Sequence, residues 1–279
     1  MIYLSNLNII ESIDNQVSRG GVPPLVIDYI VVGGGGGGRG YQGGGAGGFV
    51  TGSLIAAFNV PFIITVGAGG LANLDGPYAT GSLSSFSGNN FGTPINIIAS
   101  GGFTSDAYSG YPQHNAGGLG NGCAGGGRYY GGGGGGGMRA GYDATCATDS
   151  AGGGGDAIAW YSGSFAGGGG GGTIGLAGET PQGGLGGGST NGRSGANGGS
   201  FTSPGLPPVQ NSGGGGGGVG NNSQTYPATN GASGSVLIRY PYVPGDFGIP
   251  YATGGDMYLF SDYVYHRFNS DGVFATFAR

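Results

Sequence analysis

The chain contains no lysine; its eight basic residues are all arginine. Charged residues fill 8% of its 279 positions, roughly a third of the usual share. A net charge of −5 with scattered arginines offers no electrostatic footprint for nucleic acid. Without lysine there is no Gly-Lys-Ser/Thr, which excludes a phosphate-binding loop of that type. No run of about 20 apolar residues exists, so no membrane insertion is expected. Residues 1–16 lack a basic n-region and a long apolar h-region and do not read as a secretory signal. Cysteine is limited to Cys123 and Cys146. Two free thiols in a reducing cytosol are the simpler reading, and one bridge is the alternative. No segment repeats apolar residues at helical spacing past about ten positions, so essentially no α-helix is expected.

What the chain has instead is glycine, at 77 positions, several-fold above the usual 7% or so. Large side chains are too sparse to fill an ordinary core of this length. Glycine also gives up the most backbone entropy on folding, and ordering each residue costs on the order of 1–2 kcal/mol. The glycine-rich part is therefore either disordered or held by something other than side-chain burial.

Composition divides the chain into an N-terminal attachment segment over 1–24, a glycine-rich domain over 25–240 and a C-terminal β-strand unit over 241–279. Strand chemistry is clear at 25–32, 60–66, 95–99 and 235–240. Further strands at 256–260, 263–268 and 273–277 are joined by turn residues and read as a small antiparallel unit. Pure glycine runs fall at 33–38, 131–137, 152–155, 167–172 and 213–218.

Collagen is excluded, because the 14 prolines lie outside the runs and no period of three holds. A flexible linker has no need of the punctuating Phe49, Ile55, Phe58, Phe86, Trp160, Phe165, Ile174, Leu185 and Phe201. The expected fold class is therefore irregular and glycine-rich: a bundle of polyglycine II-type helices flanked by short antiparallel β-strands. Such helices rise about 3.1 Å per residue without internal hydrogen bonds. Their outward N–H and C=O groups find partners on neighbouring runs. Gly33, Gly36, Gly134, Gly153, Gly169 and Gly215 represent the packed runs. If successive runs alternate direction, loop 156–166 lies at the end opposite loop 138–151.

The order Asp28-Tyr-Ile-Val-Val32, Gly33–Gly38, Gly43-Gly-Gly-Ala-Gly-Gly-Phe49, Ile63-Ile-Thr-Val-Gly-Ala-Gly-Gly70, Ser84-Ser-Phe86 and Gly234-Ser-Val-Leu-Ile-Arg-Tyr240 resembles a known family. It is similar to the glycine-rich domain of bacteriophage tail-fibre and other virion proteins, over about 25–240. The resemblance implies a virion structural protein at the particle surface, assembled in the host cytoplasm: a tail-fibre or fibre-tip component that contributes to host attachment. It implies other virion proteins as partners, a homotrimer, and a host cell-surface saccharide or outer-membrane protein as receptor. A capsid decoration or head-fibre protein is an alternative, and an ice-binding glycine-helix protein is another. The residues around 253–274 are similar to the strand unit that usually precedes such a domain; here it follows.

No enzyme, cofactor or metal is expected. The glycines after 31–32 lead into Tyr41-Gln-Gly-Gly-Gly, which makes no helix to face a phosphate. His114 and His266 are the only histidines, and with Cys123 they fall short of a zinc set. Asp143, Asp149 and Asp156 follow no calcium-loop pattern. The acidic residues are not spaced as a glycosidase pair. The candidate receptor or partner contacts are Tyr108, Tyr111, Tyr129, Tyr130, Trp160, Tyr161 and Tyr226, because aromatic rings give rigid, amphipathic contact area. Sealing the ends of the body or packing between subunits is the other role such rings have. Arg128, Arg139 and Arg193 read as solvated surface residues, or as forks for a carboxylate.

Overall fold

The computed structural model describes residues 25–72, 80–103, 121–122, 129–130, 135–139, 141–142, 144, 151–161, 163–174, 183–189, 192–200, 204–219, 227–242 and 251–277. The first strands are β1 (Leu25–Val32), β2 (Phe49–Ala56), β3 (Pro61–Thr65), β4 (Ser84–Asn90) and β5 (Thr93–Ala99). Seven short ones follow: β6 (Asn121–Gly122), β7 (Tyr129–Tyr130), β8 (Ile158–Trp160), β9 (Gly163–Phe165), β10 (Thr173–Ile174), β11 (Gly188–Ser189) and β12 (Gly192–Arg193). The last are β13 (Ser235–Pro241), β14 (Ala252–Thr253), β15 (Asp256–Phe260), β16 (Tyr263–Phe268) and β17 (Gly272–Thr276).

Two five-stranded sheets dominate, in the orders β15-β16-β13-β1-β2 and β14-β17-β3-β4-β5, with every neighbouring pair antiparallel. Alternation builds them. Leu25, Ile27 and Val31 of β1 and Val236, Ile238 and Tyr240 of β13 face one way and are buried. They meet Phe62, Ile64, Phe86, Ala99 and Phe274 from the second sheet, with Phe268 of β16 in the same core. The strands at 251–277 thus complete both sheets, β15 and β16 in the first and β14 and β17 in the second. The opposite face of the first sheet is apolar too. Ile30, Val32, Leu237 and Tyr265 pack there against Trp160, Phe165, Ala166 and Ala46. The β8–β9 hairpin and adjoining glycine residues therefore form a third layer.

The expected class is corrected here. The described regular structure is all β, in antiparallel sheets, without a helix, and the glycine segments are not identified as polyglycine II helices. Enough β-branched and aromatic residues alternate outside the runs to make a sandwich with its own side-chain core. The glycine segments extend that sandwich. Val32 pairs with Phe49 and with Ser235, Thr65 with Ser85, and Ser84 with Ala99. Segments 33–38, 43–48, 66–72, 80–83, 100–103 and 227–234 consequently all leave the two sheets at one end.

Beyond that end, backbone bonds to backbone. Gly33 and Gly36 donate to Gly48 and Gly45, Gly34 to Ser82, and Gly35 and Gly38 to Ala232 and Thr229, at 2.8–3.0 Å. One short segment thus spreads its donors over three neighbours, which satisfies buried polar groups without a sheet. Ser84 adds a side-chain acceptor for Gly67 N–H at 2.9 Å, and Asp271 one for Val66 N–H at 2.8 Å.

Candidate interaction surface

Asp28 and Arg239 are directly opposed partners in the β1–β13 ladder, on the face away from the sandwich core. The Arg239 guanidinium donates to Asp28 Oδ2 from Nε at 3.1 Å and from Nη2 at 3.0 Å, a forked, charge-assisted contact. Nη1 donates to the Tyr265 hydroxyl at 3.2 Å. Tyr161 and Tyr263 cover the guanidinium, with centroids 3.0 and 3.9 Å from its carbon. Ser53 of β2 donates to the other Asp28 oxygen at 2.7 Å. Each ring here gains cation–π attraction as well as packing. Burial raises the Tyr161 phenol above its ordinary range, the Asp28 carboxylate adds to this, and Arg239 opposes it.

The β8–β9 turn places the aromatic pair. Trp160 is buried against Tyr265, edge to face at 6.5 Å, and Tyr161 is half exposed beside it. Tyr161 has φ of 45°, and Ala166 after the hairpin has φ of 56°. Tyr258 stacks flat on Tyr265 at 5.1 Å, and Phe260 lies 6.3 Å from the same ring. The result is an open aromatic surface around one neutralised Arg–Asp pair. It can bind by contact area and by hydrogen bonds from its rim.

Of the aromatic candidates, the structure brings Trp160 and Tyr161 together here. Tyr129 and Tyr130 form β7, paired with β6 and β10, and are remote in sequence from this hairpin. Tyr108, Tyr111 and Tyr226 lie outside the described residues, as do Gly134, His114, Cys123 and Cys146. Asp28, Arg239, Tyr258, Phe260, Tyr263 and Tyr265 join this surface without being sequence candidates for it. A lone acid in the first strand and a lone arginine in β13, each amid apolar residues, was the available signal.

Gly33 and Gly36 are buried in the segment after β1. Gly169 donates to Gly44 and Gly215 to Gly167, each at 2.9 Å, and a Cβ on either would collide with a neighbouring carbonyl. Gly153 is partly exposed and has room for a Cβ. Gly137 donates to Ala166 and Met138 to Asp156, at 2.7 and 2.9 Å. The start of loop 138–151 therefore lies beside loop 156–166 and not at the opposite end. Arg139 reaches Asp156 at 3.3 Å and the Tyr142 hydroxyl at 2.6 Å on the exposed surface.

His266 faces the sandwich core, fully buried. Its Nδ1–H donates to the Gly254 carbonyl at 2.7 Å, and Nε2 accepts from the Tyr240 hydroxyl at 3.2 Å. A carbonyl only accepts, which fixes this tautomer. Burial holds the imidazole below its ordinary pKa, with the Gly254 bond opposing. Among the described residues no cluster of three or more His, Cys, Asp or Glu is placed to hold a metal ion.

Neither a curated protein nor a solved structure matches the chain. A family model described as a glycine-rich domain matches residues 21–241. That span starts just before β1, ends at the last residue of β13, and takes in the glycine segments between them, so the chain belongs to the glycine-rich domain family.

Proposed function

We propose that the chain is a structural component of a bacteriophage virion, a tail-fibre or fibre-tip protein that helps hold the particle to its host. The reading rests on the resemblance of the strand-and-glycine order. The observation that supports it best is the way six glycine-rich segments leave one end of a β-sandwich and bond to one another through their backbones. Such cross-bonded segments resist bending, as a projection exposed outside a cell requires. Its work is mechanical and non-enzymatic on this reading. Its expected partners are other virion proteins at one end and a host saccharide or outer-membrane protein at the other.

Gold-labelled antibody against the purified chain tests the location on intact particles. Label on the fibres supports the reading, label on the head moves the chain to capsid decoration, and unlabelled particles defeat both. Purified chain added before infection is expected to slow adsorption if it carries the receptor contact.

A further inference from the structure

The two large sheets have four edges, β2, β5, β14 and β15, and two of them carry a device against pairing. β14 is two residues long. β5 carries Pro94, which has no N–H for a neighbour. β2 sets exposed Thr51 and Ser53 along its length. β15 has no such device, and all five of its residues are exposed. Met257, Tyr258, Leu259 and Phe260 follow one another at 42%, 37%, 59% and 49% exposure. Among the described residues no strand pairs with the outer side of β15, and an apolar edge without lysine, proline or bulge is a template for another strand.

We propose that β15 joins two copies of this chain, edge to edge and antiparallel, about a two-fold axis through Tyr258. Self-complementarity argues for a second copy as the occupant. In that register Met257 of each copy lies opposite Leu259 of the other, on one face. Tyr258 meets Tyr258 on the other face, extending the flat stack it already makes on Tyr265. Asp256 is the strand's single charge. The two Asp256 residues sit at opposite ends of the shared ladder, about 13 Å apart along the strand, so like charges do not meet. The four apolar side chains offer on the order of 400 Å² per copy, or about 800 Å² per pair, at the weak end of specific interfaces. The pair is therefore concentration-dependent. An edge that pairs with itself closes at two copies, whereas a trimer requires β15 to meet a different edge. None of this rests on the virion reading.

Sedimentation velocity of the full chain over a concentration series is the test. The wild type is expected to pass from one to two copies. Leu259→Lys enters each pair twice and is expected to weaken association about tenfold or more. At concentrations where the wild type is a single copy, its melting temperature should match the wild type's, because the side chain is exposed there. Val273→Lys, on the outer face of the second sheet and 45% exposed, is expected to leave association as it was. A monomer at every concentration, a trimer, or a dimer indifferent to Leu259→Lys would each overturn the proposal. If Leu259→Lys does not fold, Met257→Lys takes its place with the same expectation.

Discussion

A methyl group at Gly154 would collide with the Gly168 carbonyl and crowd Gly187 N, whereas one at Gly153 would rest 3.5 Å from the Leu185 carbonyl oxygen and 3.6 Å from the Tyr142 ring. Gly154→Ala is expected to cost about 3 kcal/mol or more, because backbone and not a movable side chain stands in the way. Gly153→Ala should be neutral or stabilise by up to about 1 kcal/mol, through a less flexible unfolded chain. Urea melts of the two variants check this. The sequence offered no means of separating them, since both belong to one uninterrupted run. His266 gives a pH dependence. Its native pKa lies below the ordinary value of 6.5, so as pH falls through about 6.5 the unfolded chain takes up a proton that the native one refuses. Stability is full above that pH and declines below it, until the native imidazole also titrates. Melting temperature is expected to fall between about pH 7 and pH 5.5, and His266→Gln should flatten that slope.

At the scale of elements, the β8–β9 hairpin is pinned to the first sheet by Arg239 and the rings around it. Arg239→Met removes the fork to Asp28 and the cation beneath Tyr161 and Tyr263. It is expected to cost about 2–4 kcal/mol, the lower end reflecting a partly exposed Asp28. Tyr161→Leu should cost less in that background than in the wild type, and a thermodynamic cycle would measure the coupling. The strands at 25–32, 256–260, 263–268 and 273–277 were legible, because β-branched and aromatic residues alternate there. β2 and β4 lack that signal. Phe49–Ala56 carries Gly52 and follows directly on glycines, and Ser84–Asn90 is mostly serine, glycine and asparagine. Both become strands through their partners, β2 beside β1 and β4 between β3 and β5, with Phe86 as the buried anchor. The candidate surface was half legible for the same reason: Trp160 and Tyr161 are conspicuous in sequence, while Arg239 and Tyr265 gain their meaning from strand order.

For the whole molecule, the glycine segments are continuous with strands of both sheets, and they bond across to one another. Gly47 donates to Gly213, Gly70 to Gly35, and Gly231 to Gly70, at 2.8–2.9 Å. No seam separates the sandwich from its extension. Calorimetry is expected to show one transition, and the amides of Gly34 and Gly35 should exchange nearly as slowly as that of Ile30. Fast exchange at those glycines alongside protection at Ile30 would mean that the two parts open separately. The composition misled at this scale, because so much glycine suggested a molecule made of glycine runs, when side-chain burial in the sandwich is what sets their register.

The contact between Asp28 and Arg239 spans 211 positions of the chain, and this has a consequence for synthesis. On a ribosome adding about 5–20 residues per second, β1 waits on the order of 10–40 s for β13 to be made. In that interval β1 has β2 alone beside it in its sheet, and its other edge lies open. A chain cut short anywhere before residue 235 lacks β13 to β17 together, and so loses three strands of the first sheet and two of the second. Completion of the molecule thus doubles as a check on its length: truncated products are left with an open apolar face for the cell's proteases to find.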